Sequence, residues 1–133
     1  MVSVEKVTFY FDRQIGKRIP EALLKVRPPM AIRYHEGEHY QSTMPDDQIL
    51  KICGKNNWVA VSQDKKWHII EAEKAAVIEY NAKCFYLPCA SDPRWQTLGH
   101  IVKRHQKMIG LSESVKAPFI FDISKTGKFK RIL

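Results

Sequence analysis

The sequence predicts an α/β fold: a three-layer α/β/α sandwich around a mostly parallel central sheet, closed by a C-terminal antiparallel hairpin. Three features predict it. Short runs of β-branched and aromatic residues recur at "VEKVTFYF", "PMAIRYH", "WVAVS" and "KCFYLPC", each of strand length. Between them lie stretches with helical periodicity, and strands alternating with helices give a parallel sheet covered on both faces. The last stretch, "APFIFDISKTGKFKRIL", holds two strand-like segments around a turn at Lys125–Gly127, which reads as a hairpin.

Each element follows from its residues. Residues 4–11 read as a central strand, because the second half is continuously apolar. A helix over about 15–26 sets Ile15, Ile19, Ala22, Leu23 and Val26 on one face. Pro20 fits only its first turn, so the helix starts near Lys17. Residues 29–35 form a second strand. Ser42 or Thr43 is placed to cap a helix opening with Pro45, Asp46 and Asp47, with Ile49, Ile52 and Cys53 inward and Gly54 or Asn56 stopping it. Residues 58–62 are a third, buried strand, 67–80 a helix and 83–89 a fourth strand. "SDPRW" starts another helix, with Ser91 or Asp92 capping and Pro93 just inside. Its inner face is expected to hold Trp95, Leu98, Val102, His105 and Ile109, with Arg94, Lys103, Arg104 and Lys107 opposite.

The chain of 133 residues suits one domain, 1–133, able to bury a real core. Its apolar runs are too short to cross a bilayer, and "MVSVEKVTFYF" lacks the pattern of a secretory signal. A cytoplasmic protein without membrane contact is the expectation. Three cysteines, Cys53, Cys84 and Cys89, form no CxxC pair, which agrees with a reducing compartment. A net charge of +8 favours an anionic partner, nucleic acid before membrane.

The acids carry the chemistry. Asp12 ends the first strand, Asp64 follows the third by two residues, and Asp46 and Asp47 open the helix leading into the third. With the first and third strands adjacent, these carboxylates meet beyond the carboxyl ends of the strands, where open sheets bind ligands. Converging carboxylates require protons or a cation, and an all-oxygen set suits Mg²⁺ or Mn²⁺. Such an ion activates water and holds a phosphate for in-line attack. Each acid also has a plainer use: Asp46 and Asp47 complement a helix N-terminus by charge, and Asp64 suits a turn.

Taken in order, "FYFDRQIGKRIPEAL", "MPDDQIL" and "WVAVSQDKK" resemble the PIN-like nucleases, in particular their VapC-like toxin branch. Shared with that branch are an Asp–Arg after strand one, a helix opening with Pro–Asp, and a hydroxyl residue two before an Asp after a Val-rich strand; the terminal hairpin also looks like its ending. The resemblance implies a metal-dependent endoribonuclease acting on single-stranded RNA, with Asp12, Asp46 and Asp64 as catalytic, metal-binding acids. Asp47 is a further candidate ligand, Ser62 takes the hydroxyl position, and Arg13, Lys17, Lys65 and Lys66 are candidate phosphate contacts. It also implies a small antitoxin as partner and dimerisation. A further acid before the helix-opening Asp is expected in the family, with Glu36 and Glu38 as its candidates here.

The remaining motifs are weaker. His35 and His39 are four apart in "YHEGEHY", but Gly37 argues against the helix that a zinc pair needs, leaving a loop that contacts substrate or partner. Trp58 and Trp67 bracket the Asp64 loop and suit core packing or base stacking. Two other functions use this architecture: a non-catalytic RNA-binding or scaffold domain, and a receiver-like domain. The latter requires an acid pair after strand one, and "FYFDR" has Arg there instead.

Overall fold

A computed structural model of the chain describes residues 6–88 and 90–133; Cys89 and the first half of the expected 4–11 strand lie partly or wholly outside the described residues. Six strands form one sheet, β1 (Thr8–Phe11), β2 (Ala31–Tyr34), β3 (Trp58–Ser62), β4 (Lys83–Tyr86), β5 (Phe119–Ile123) and β6 (Phe129–Arg131), in the order β2-β1-β3-β4-β5-β6. The first five pair in parallel, and β5 pairs antiparallel with β6. Four helices connect them: α1 (Arg18–Lys25), α2 (Asp46–Asn56), α3 (Glu71–Glu79) and α4 (Arg94–Ser114). No helix among the described residues is long and apolar enough to cross a membrane.

Strand alternation divides the core into two layers. Phe9, Phe11, Val59, Val61, Phe85, Phe119 and Phe121 pack on Ile19 and Leu23 of α1 and Ile101 and Met108 of α4. Tyr10, Ala60, Cys84, Tyr86 and Ile120 face α2 and α3, with Ile49, Leu50, Cys53, Ala76 and Val77. Both sheet faces are therefore covered, as the near-continuous apolar strands require. At Gly54 an added Cβ would lie 2.2 Å from the Tyr80 carbonyl oxygen, so only glycine lets α2 approach the end of α3 this closely.

Several expected details change. Neither Ser42 nor Thr43 caps α2. Pro45, in extended backbone, is the N-cap residue and no side chain caps the helix, because Arg13 binds the carbonyls of Ser42 and Met44 and holds the loop in another shape. Gly54 lies inside α2, and Asn57, left-handed at φ 58°, ends it. The segment 63–70 turns instead of extending α3, which puts Trp67 in the core. Pro93 is the N-cap of α4, again without a side-chain cap. The inner face of α4 is also rotated: Thr97, Ile101, Met108 and Ser112 are buried, while Trp95 and Val102 are exposed. Thr97 and Ser112 bury their hydroxyls by bonding Gln63 and the Met108 carbonyl. Val26, expected on the inner face of α1, is its C-cap residue and is 73% exposed.

Candidate active site

The chain leaves β1 for an edge strand, β2, and returns past it to β3, so strand order reverses between β1 and β3. Loops leaving neighbouring strands at such a reversal part to opposite faces and open a crevice. Asp12 and Ser62 stand across this crevice, each one residue beyond the paired Phe11 and Val61. Both continue the alternation toward the α2–α3 layer, like Tyr10 and Ala60 before them.

Ser62 is fully buried and positions its neighbours. Its hydroxyl accepts the Asp64 amide at 3.0 Å and donates to Asp12 Oδ2 at 3.0 Å. Asp12 is only 2% exposed, and its other oxygen, Oδ1, is buried without a hydrogen-bond donor. Burial raises the pKa of Asp12, and the charge of Asp46 raises it further, while the Ser62 hydroxyl and Arg13 pull it down. An ionised carboxylate oxygen buried without a donor or cation is costly.

Asp46 begins α2, where the helix N-terminus favours its charge. Its carboxylate pairs with Arg13 at 2.6 Å. The same guanidinium donates to the carbonyls of Ser42 and Met44, so Arg13, expected as a phosphate contact, is an internal clamp that fixes the α2 entry against the end of β1. Asp64 pairs with Lys66 at 3.2 Å. Lys65 reaches Asp122 at 2.8 Å, joining the loop after β3 to the same row of the sheet on β5. Lys17 is exposed just before α1. Asp47 lines a different groove, with Lys51, Ala72 and Glu79.

One acid was not expected. Glu73, in the first turn of α3, is 7% exposed. Burial first, then a hydrogen bond to Asp46 and the charges of Asp46 and Asp64, push its pKa up to about 7. The protonated Glu73 donates to Asp46, giving two carboxyls one shared proton. "EAEK" is the ordinary opening of a solvated helix, and nothing in its spacing announces burial. The other candidates for a further acid lie elsewhere. Glu38 pairs with Arg33 at 2.6 Å, and Glu36 is exposed.

His35 and His39 do not form a metal pair. His35 Nε2 donates to the Gln41 carbonyl at 2.8 Å, so Nδ1 accepts the Tyr10 hydroxyl at 3.0 Å; His39 is exposed with φ 60°. Both tryptophans of the loop reading pack inward. Trp67 is buried, and Trp58 stacks on Tyr10 with Arg33 over its ring.

Asp12, Asp46, Asp64 and Glu73 thus form one electrostatically coupled group of hard oxygen donors. Among the described residues no three acids converge as a ready coordination group, and Arg13 and Lys66 pair with Asp46 and Asp64. The donor chemistry fits Mg²⁺ or Mn²⁺, and the orphaned Asp12 oxygen supplies a ligand position. No curated protein and no solved structure matches the chain. A family model described as a PIN like domain matches residues 7–89, a stretch running from β1 past β4 and containing all four acids. The chain is a member of the PIN-like domain family, whose fold is of the nuclease type.

Proposed function

We propose that the chain is a metal-dependent endoribonuclease that cleaves single-stranded RNA, with Mg²⁺ or Mn²⁺ held by Asp12, Asp46 and Asp64 and with Glu73 beside them. The observation that carries this reading is the buried, donorless Oδ1 of Asp12 beside the charge of Asp46, which in turn faces Glu73. A divalent cation relieves that oxygen and, once bound, supplies a water of lowered pKa and positive charge for phosphate oxygens. The protein's own groups do the rest. Ser62 holds the Asp12 carboxylate in one orientation. Arg13 keeps Asp46 at the mouth of the crevice. Glu73 holds its proton toward Asp46 and would lower the site's negative charge while no cation is bound. Lys17, Lys65 and Lys66 are exposed enough to contact flanking phosphates. The motif order shared with the VapC-like branch supports a toxin role with a small antitoxin as partner, and a homodimer.

A fluorescent single-stranded RNA incubated with the protein in Mn²⁺, Mg²⁺ or EDTA tests the reading, with Asp12→Asn alongside. Cleavage that requires metal and disappears in the variant is the expected result; RNA left intact in Mn²⁺ overturns it. A second reading, a non-catalytic RNA-binding domain, is favoured by the Arg13–Asp46 and Lys66–Asp64 ion pairs, which keep two acids engaged. RNA bound but never cut is its signature.

A further inference from the structure

Trp95 is 82% exposed, the most exposed large hydrophobic side chain among the described residues. It opens a groove of about 580 Å³ along α4, lined also by Leu98, Gly99, Val102, Lys103 and Lys125. Gly99 lies one turn beyond Trp95, and a Cβ there would meet nothing within 4 Å. The floor of the groove beside the indole is therefore open, a space that a flat ring can enter.

The surroundings are mainly cationic, with Asp92 the one acid in the lining. Helix α4 carries Arg94, Lys103, Arg104 and Lys107 against one acid, Glu113. Lys125 reaches the groove from the β5–β6 turn, 3.3 Å from Asp92 Oδ1, and its side chain stays 61% exposed. An exposed aromatic ring among cations suits stacked bases joined by phosphates more than it suits a neutral protein surface.

The groove is also coupled to the acidic crevice. Gln63, between Ser62 and Asp64, donates to Thr97 Oγ1 at 3.2 Å and to the Pro88 carbonyl at 3.4 Å. Lys65 of the same loop bonds Asp122 on β5, two residues before the turn that holds Ser124 and Lys125. The start of α4, the β5–β6 turn and the Asp64 loop thus share one edge of the sheet.

We infer that Trp95 and the open floor at Gly99 form a base-stacking subsite for a single-stranded nucleic acid, with Arg94, Lys103 and Lys125 on its phosphates. The inference deepens the nuclease reading and rests on it for the direction of the strand: bases stack on α4 while a neighbouring phosphate lies at Asp12.

Fluorescence anisotropy of a labelled ten-nucleotide single-stranded RNA, in EDTA so that nothing is cut, tests it with wild type, Trp95→Ala, Trp95→Phe and Gly99→Leu. Trp95→Ala is expected to weaken binding about tenfold or more. Trp95→Phe should keep most of the affinity, and Gly99→Leu should lose it by filling the floor. Melting temperatures should move little, because the Trp95 side chain is exposed. Equal affinities for wild type and Trp95→Ala overturn the subsite, even if metal-dependent cleavage through Asp12 is found. Trp95-dependent binding without cleavage in any metal keeps the subsite and overturns the nuclease reading instead. Absence of RNA binding, together with a concentration-dependent dimer that Trp95→Ala abolishes, overturns the subsite in favour of a protein interface.

Discussion

Replacing Glu73 by Gln should change how stability depends on pH, and the sign follows from the site. In the folded protein Glu73 keeps its proton up to about pH 7, because it is buried and faces Asp46 and Asp64. In the unfolded chain an ordinary glutamate releases it near pH 4.3. Between those values the folded state binds more protons, so stability is highest below the lower value and falls as pH rises through the window. Complete loss amounts to on the order of 3 kcal/mol. Glu73→Gln retains a neutral amide able to donate to Asp46 and removes the titration. Urea unfolding in EDTA at pH 5 and pH 8 measures the difference. The two proteins should be of similar stability at pH 5, and the variant should be more stable by up to about 3 kcal/mol at pH 8. Parallel pH profiles would refute the shared proton and the crowding of carboxyls it reports.

Three further variants test single atoms. Ser62→Ala removes the side-chain donor to the buried Asp12 Oδ2 and should cost about 1.5–3 kcal/mol at neutral pH, read by denaturant titration; loss of that hydrogen bond should also raise the Asp12 pKa. Gly54→Ala and Gly99→Ala place the same substitution in two helices with opposite results. The first drives a Cβ against the Tyr80 carbonyl and should destabilise by more than about 2 kcal/mol. The second meets open space and should stabilise by about 0.5–1 kcal/mol. Thermal melts of the two variants decide both.

The inner strands β1, β3, β4 and β5 were readable because their residues are buried on both sides, so composition alone marks them. "WVAVS" coincides with β3, residue for residue. The adjacency of β1 and β3 that the acid order assumed is present, and Ser62 links Asp12 to the Asp64 amide across it. What escaped depends on contacts distant in sequence. Apolarity put Trp95 and Val102 inside α4, but Gln63 and the Met108 carbonyl satisfy Thr97 and Ser112, and these hydroxyl residues take the buried stripe. The loop before α2 offered two hydroxyl caps, yet Arg13, more than 25 residues away, fixes it through its carbonyls. Glu73 was invisible because the acids it faces, Asp46 and Asp64, are distant from the pattern of α3.

A crystal grown or soaked in Mn²⁺, with anomalous scattering recorded at the manganese edge, tests the metal site most directly. A peak bound by Asp12 Oδ1 together with Asp46, with the Arg13–Asp46 pair rearranged, is expected. Clear density for the crevice with no manganese at Asp12, at millimolar Mn²⁺ and neutral pH, would contradict it.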